Sequence, residues 1–480
     1  MNTAAKATLQ YQGLMRRALS LGALKAFDHA VQFLLPIILV RCLDAVAFGE
    51  YRLLWLCVWT VVSLVSLNMG GGLYYFVPRS DARHKRLYIH QSMLYFLLAG
   101  VVGAWLLSSW NPLHPAPVRQ LGHYGLLVPA FVALWMFSIL MDYLPTVDER
   151  IRWQAGASVT SSVLRAVLVG AGAWLTGDLH LVIVLLITAV LVKLALLLFY
   201  VHRHHGFGGP WFRRAAFAEQ FGRSAPLGAS SALFSLRTQC DQWVAATLFA
   251  LSSFAAFTIA TIVSQIVHLF RQSVMEAFMP SMSRMEAAGD LHGMMQLNSR
   301  ANVMVGTALY PLLAFAFAFA EDIVTLVYTA AYVEAGPVMR VYVIGMAAMV
   351  IEISSLLLLL RQGAFALRFS MVLLAVSAAV SWVGAQHVGL AGAAAGSVLA
   401  IYLDRFFMLR RVSQHSGIGF TRLQDWAGLG RALVFAAFAA GLAWLVVRFF
   451  LPEAKPFLRL ALGTVTLAVV YGPLALWGRK

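Results

Sequence analysis

The stretch LVIVLLITAVLVKLALLLFY, Leu181–Tyr200, carries a single charge, Lys193, in an otherwise apolar run. A helix of about 20 residues spans the hydrocarbon of a bilayer, and lipid offers the backbone no hydrogen-bond partner except its own. The run is therefore expected to cross a membrane as a helix. Similar runs recur along the chain, centred near residues 30, 62, 99, 132, 166, 190, 238, 267, 311, 348, 374, 398, 439 and 467. They make about fourteen spans. Composition agrees: the 480 residues are 61% hydrophobic and 12% charged, with a mean hydropathy of +0.77. A globular domain carries about 25% charged residues. The reading is an all-α polytopic membrane protein with no segment long enough for a soluble domain. Its expected parts are a six-helix bundle at 1–204, a cytoplasmic linker at 205–224, a second six-helix bundle at 225–412 and a two-helix segment at 413–480.

The net charge of +16 is read by position. Arg79, Arg83, Lys85 and Arg86 fall in one short loop, Arg150 and Arg152 in another, and Arg203, Arg213, Arg214 and Arg223 in a third; Arg405, Arg410, Arg411 and Arg422 follow. With the N-terminus inside, about 24 basic residues lie on the cytoplasmic side and about 6 outside. The charge thus sets topology, returns Arg479 and Lys480 to the cytoplasm, and gives no reason to invoke nucleic acid. Contact with anionic head groups of the inner leaflet is a second use for it. The first span has no short apolar core with a cleavage site and is expected to be retained. Cys42, Cys57 and Cys240 have no metal-ligand spacing, and HRHHGFGG at His202–Gly209 reads as a solvated loop. No G-x-x-x-x-G-K-[ST] loop occurs, and no cofactor or metal is expected.

Charges inside the spans need a reason, since each opposes insertion by about 2.5–3.5 kcal/mol at a helix centre. In SALFSLRTQCDQWVAATLFA, Ser231–Ala250, Arg237 and Asp241 stand four apart, share a helix face and are expected to pair. Lys25 and Asp28 stand three apart on one face. Arg165 is far from either surface and has no acidic neighbour at helical spacing, so it is expected to face a watery cavity or a partner on another helix. Arg271, Arg340 and Glu352 extend the set, while Lys193 and Arg340 sit near enough to a surface to snorkel. The excess of cations, Lys25, Arg165, Arg237, Arg271 and Arg340, suits an anionic passenger, because a guanidinium pairs with phosphate oxygens through two hydrogen bonds. Asp28, Asp241 and Glu352 are candidates to hold these bases in alternation or to couple protons or sodium. Gly392 and Gly396 stand four apart, as closely packed helices require, and Gly70–Gly72 is either a flexible helix end or a tight exit.

RCLDAVAFGEYRLLW (Arg41–Trp55) and LFALSSFAAFTIA (Leu248–Ala260) place Phe48 and Phe254 at a similar offset, consistent with two parallel repeats. LVRCLDAVAFGEYRLLW resembles the first loop of the bacterial polysaccharide exporters, the O-antigen and exopolysaccharide flippases, with Asp44 at a usual glycine. LNMGGGLYYFVPR is similar to their second-helix ending, and QCDQWVAATLFA to their seventh helix, with Asp241 at a position where the family often has an acid. FMPSMSRMEAAGDLHGMMQLNSR resembles the cytoplasmic loop after helix 8, EDIVTLVYTAAYVEAGPVMRVY the outer loop after helix 9, and HVGLAGAAAGSVLA the twelfth helix. Their order and spacing carry the resemblance to about residue 410.

The resemblance implies two six-helix bundles around a central cavity, within the multidrug/oligosaccharidyl-lipid/polysaccharide exporter superfamily. It implies a non-enzymatic flippase that moves a polyprenyl-diphosphate-linked oligosaccharide across a bacterial inner membrane by alternating access. Membrane lipids and a polysaccharide polymerase or export complex are the implied partners. A lipid II flippase and a multidrug cation antiporter share the architecture, although drug export calls for acidic predominance. A membrane glycosyltransferase or polymerase requires a large outer loop, which this chain lacks. A scaffold within an export complex stays open.

Overall fold

A computed structural model gives the fold and describes residues 31, 33–112 and 115–477. Lys25 and Asp28 lie outside the described residues, as do Arg479 and Lys480. The regular structure among the described residues is entirely helical. The chain divides into two compact units, residues 1–235 and 236–480.

The first unit contains α1 (Phe33–Cys42), α2 (Ala45–Val65), α3 (Met69–Phe76), α4 (Ala82–Leu107), α5 (Leu127–Ser138), α6 (Leu140–Val147), α7 (Ile151–Thr176) and α8 (Leu179–His204). Helix α9 (Arg214–Leu248) begins in this unit and ends in the second. Aspartates at the helix starts satisfy otherwise unpaired N–H groups: Asp44 accepts from Ala47, Asp81 from His84 and Asp178 from His180. Packing runs α4 against α5, α5 against α8 and α7 against α8. Between α2 and α3 the chain turns through left-handed backbone at Leu67 and Asn68. The glycines that follow belong to α3, where a Cβ on Gly70 would meet the Tyr143 ring at 2.6 Å. The glycines thus lie in the first turn of a packed helix, where the sequence pointed to a flexible helix end or a tight exit.

The second unit continues with α10 (Leu251–Ala260), α11 (Ile262–Ala287), α12 (Leu291–Ala318), α13 (Ala320–Val327), α14 (Ala335–Met349), α15 (Ser354–Leu359), α16 (Gly363–Val388), α17 (Leu390–Ser416), α18 (Trp426–Phe450) and α19 (Pro456–Trp477). Phe48 and Phe254 are each the fourth residue of a helix, and both are fully buried. Arg459 bonds to Asp322 at 3.1 Å and ties α19 to α13.

Eleven helical segments among the described residues are long and apolar enough to span a membrane, compared with the fourteen expected. The other three expected spans meet identifiable obstacles. Near residue 30 only α1 is described, α9 is long but too polar around Arg237 and Asp241, and α14 stops at Met349. The expected long loops are largely helical. Helix α9 starts at Arg214, α11 runs to Ala287, α12 starts at Leu291 and α17 runs to Ser416. Ala, Arg, Gln and Met favour helix in water as well as in lipid, so the change of solvent does not end these helices.

The closest backbone approach joins α16 and α17. A Cβ on Gly392 would stand 2.0 Å from the Gly384 carbonyl oxygen, and one on Gly396 would stand 2.3 Å from that of Ser377. Neither obstacle is a movable side-chain tip. We expect Gly392→Ala to cost about 1–3 kcal/mol through overpacking, read as a lower Tm in detergent. Gly430→Ala, where a Cβ meets nothing within 4 Å, is the control that leaves Tm undiminished.

Candidate functional site

In the first unit, polar groups converge on a cavity of about 150 Å³. Helix α7 supplies Ser158, Ser161, Ser162 and Arg165 at spacings of three, four and seven, which place them on one face. Helix α5 adds Trp135, α2 adds Trp59, α6 adds Asp142 and α8 adds Lys193. Trp55, one turn from Trp59, meets Trp135 edge-on with ring centres 5.0 Å apart. The Arg165 guanidinium lies 5.9 Å from the Trp55 ring and 5.8 Å from that of Trp135, while Lys193 lies 5.5 Å from Trp135. Indole faces carry negative potential, which holds cations in place without neutralising them. Lys193 also bonds Asp142 at 2.7 Å, so it is drawn inward to a carboxylate where the sequence pointed to snorkelling. Arg165 faces a polar cavity, one of the two environments expected for it.

The second unit gathers a larger charged network. Arg237 reaches Asp404 on α17 at 3.9 Å, and the adjacent Arg405 lies 3.7 Å from the same carboxylate. Arg271 on α11 forms an ion pair with Glu352 and stands 3.3 Å from the Nδ1 of His268. Asp241 accepts a hydrogen bond from the Tyr342 hydroxyl at 2.6 Å. The expected pairing within α9 is thus replaced by partners on other helices: Arg237 turns to Asp404 and Asp241 to Tyr342. Helical spacing brings two residues to one face but does not decide which neighbour each side chain meets.

Glu352 sits in the break between α14 and α15, not within a span. Its backbone N–H donates to the Asn302 side chain at 3.0 Å, and its carbonyl accepts from Asn298 at 3.2 Å. Gln424 closes the cage, accepting from Asn302 at 2.9 Å and donating to Asn298 at 3.1 Å. These three amides went unnoticed in the sequence because Asn298 falls in an expected loop. The Asn-x-x-x-Asn spacing on an apolar helix was the available signal. Arg405 went unnoticed because it resembles the loop arginines after it, yet it is buried.

Arg340 stands elsewhere. It pairs with Glu321, donates to the Phe317 carbonyl at 3.0 Å, and lines a groove of about 660 Å³. The remaining lining is nearly all apolar, including Phe317, Ile344, Leu433 and Trp444. Within the second unit the expected cations do not form one cluster. Arg237 and Arg271 share the neighbourhood of Asp404 and Arg405, Arg340 flanks an apolar groove, and Arg165 belongs to the first unit.

Residues 147–337 match the sequence model of a family described as polysaccharide biosynthesis protein. No curated protein sequence matches the chain. Among solved structures, the lipid II flippase MurJ in an inward closed conformation aligns over 94% of this chain and 98% of its own, with a TM-score of 0.69 and 13% identity. An inward-facing multidrug resistance MATE family transporter of the MOP superfamily aligns over 81% and 95%, with a TM-score of 0.62 and 14% identity. A MOP superfamily transporter from Pyrococcus furiosus aligns over 83% and 96%, with a TM-score of 0.55 and 15% identity. The fold is that of the MOP exporters. The all-helical, multi-pass architecture expected from the sequence is the one observed.

The buried Arg271–Glu352 pair yields a direct test. Removing one partner of a buried pair costs about 3–5 kcal/mol because the other charge is stranded. Glu352→Gln should lower the Tm in detergent sharply, whereas Arg271→Gln with Glu352→Gln should recover much of the loss. Equal losses in the single and double variants would show that the pair is not coupled.

Proposed function

We propose that the protein moves a lipid-linked saccharide with a phosphate-bearing head across a membrane, without catalysing a covalent reaction. The observation that carries this reading is the polar cavity at Arg165. There, hydroxyls, two indoles and two cations line a space enclosed by apolar helices. Serine hydroxyls suit sugar hydroxyls, indole faces suit the C–H faces of sugar rings, and a guanidinium suits phosphate or carboxylate oxygens. The groove beside Arg340 complements it, since a polyprenyl tail needs an apolar path open to lipid. Phe317, Ile344 and Leu433 on its wall are all substantially exposed.

In its specific form the passenger is a polyprenyl-diphosphate-linked oligosaccharide, an O-antigen or exopolysaccharide repeat unit. It crosses a bacterial inner membrane by alternating access, with both termini of the protein cytoplasmic. The family match over residues 147–337 supports a role in polysaccharide synthesis. Asp241 and Glu352 remain proposed coupling groups, and Arg237, Arg271 and Arg340 proposed substrate contacts; a polymerase or export complex is a proposed partner. Lipid II transport is a second reading, favoured by the MurJ-like fold. The cationic lining of the Arg165 cavity argues against a cationic drug as passenger.

Loss of the protein should leave carrier-linked saccharide on the cytoplasmic leaflet, where an impermeant oxidant or lectin added outside cannot reach it. Arg165→Ala should insert at normal levels yet reduce export by about tenfold or more, the scale of a lost charge-assisted contact. Full export by both Arg165→Ala and Arg237→Ala would rule out the cation-lined path.

A further inference from the structure

A second cavity, of about 230 Å³, lies at the end of the first unit where α4 begins, α6 turns into α7 and α8 ends. Its lining includes Lys85, Arg86, Asp148, Arg150, His204 and His205. Asp148 is the only carboxylate among them, and its side chain is 3% exposed. It receives Lys85 Nζ, His205 Nε2 and the Tyr200 hydroxyl, each at 2.7 Å. Burial pushes its pKa up, but hydrogen bonds from His205, Lys85 and Tyr200 outweigh that and hold it well below the usual carboxylate range. Asp148 therefore stays an anion whose oxygens are already committed to protein donors.

The permanent donors left to meet a ligand are the guanidinium groups of Arg86 and Arg150. His204 Nδ1 faces the Tyr200 carbonyl at 3.1 Å, so that nitrogen carries its proton. Neither Arg86 nor Arg150 has an acidic partner among the described residues. Three permanent cations thus line the cavity with one carboxylate, and two of them, Arg86 and Arg150, carry planar guanidinium groups. This chemistry repels metal ions and cationic ligands. It suits a compact, multiply charged oxyanion, for which guanidinium forks are the best protein partners. The volume, that of about seven waters, admits one phosphate or diphosphate and little more. The cavity also sits where helices long and apolar enough to span a membrane begin and end.

We propose that this cavity holds the phosphate of a membrane lipid, either the phosphodiester of an anionic phospholipid or the diphosphate of a lipid carrier. The proposal rests on the cavity alone and does not depend on the transport reading. Arg86 and Arg150 grip the phosphate, while Lys85 and His205, fixed by Asp148, hold the walls.

The test uses the full chain in nanodiscs of phosphatidylcholine alone, with added phosphatidylglycerol, or with added undecaprenyl diphosphate. Lipids retained after release into detergent are identified by native mass spectrometry. The wild type should retain one of the two anionic lipids in preference to zwitterionic phosphatidylcholine. Arg86→Gln with Arg150→Gln should weaken retention by about tenfold or more. Arg83→Gln with Arg203→Gln removes equal charge from exposed residues outside the lining and should leave retention unchanged. Preferential retention of phosphatidylglycerol assigns the site to membrane phospholipid, and preferential retention of the diphosphate assigns it to a carrier. Equal weakening by both variant pairs means diffuse charge attraction and overturns the proposal, as does no preference over phosphatidylcholine. Retention reads this cavity and export reads the transport path, so a failure of the transport reading is distinguishable from a failure here.

Discussion

Hydrocarbon cannot solvate an ion, and the structure is organised around that fact. The charges in or beside the apolar helices find partners on other elements: Lys193 with Asp142, Arg237 with Asp404, Arg271 with Glu352, Arg340 with Glu321 and Arg459 with Asp322. In water, apolar burial holds helices together. In lipid that force is absent between helices, so polar ties and close packing take over. The ion pairs and the Gly384–Gly392 contact therefore belong to one strategy.

The two units use charge differently. In the first, Arg165 and Lys193 are set against indole rings, and Lys193 is also paired with Asp142. In the second, three arginines share Asp404 and Glu352, and the amides of Asn298, Asn302 and Gln424 fix the backbone that carries Glu352. A site of the first kind suits recognition of an anion with sugar attached. One of the second kind suits exchange of partners, because Arg237 and Arg405 compete for Asp404.

The last two helices acquire a role that their sequence did not disclose. Phe319, Ala439, Ala443, Val447 and Leu467 form a small apolar cluster joining α18 and α19 to the neighbourhood of α13. Arg459 adds an ionic tie to Asp322. Leu433, Ala437 and Trp444 of α18 also form one wall of the apolar groove, so this pair of helices shapes a surface as well as closing a bundle.

The sequence by itself determined the class of fold and which charges stand inside apolar runs, because both follow from one-dimensional quantities. Twenty apolar residues define a span, and a lone arginine such as Arg165 stands out against them whatever its neighbours. Only the tertiary structure decided partners. Arg237 and Asp241 share a face by spacing, yet each turns to another helix, and Arg405 looks like a loop charge until α17 is seen to continue past it. Glu352 needed a helix break and a cage of amides drawn from elements remote from it in sequence. A pairing depends on distances between helices remote in sequence, and the residue order of any one helix does not contain them.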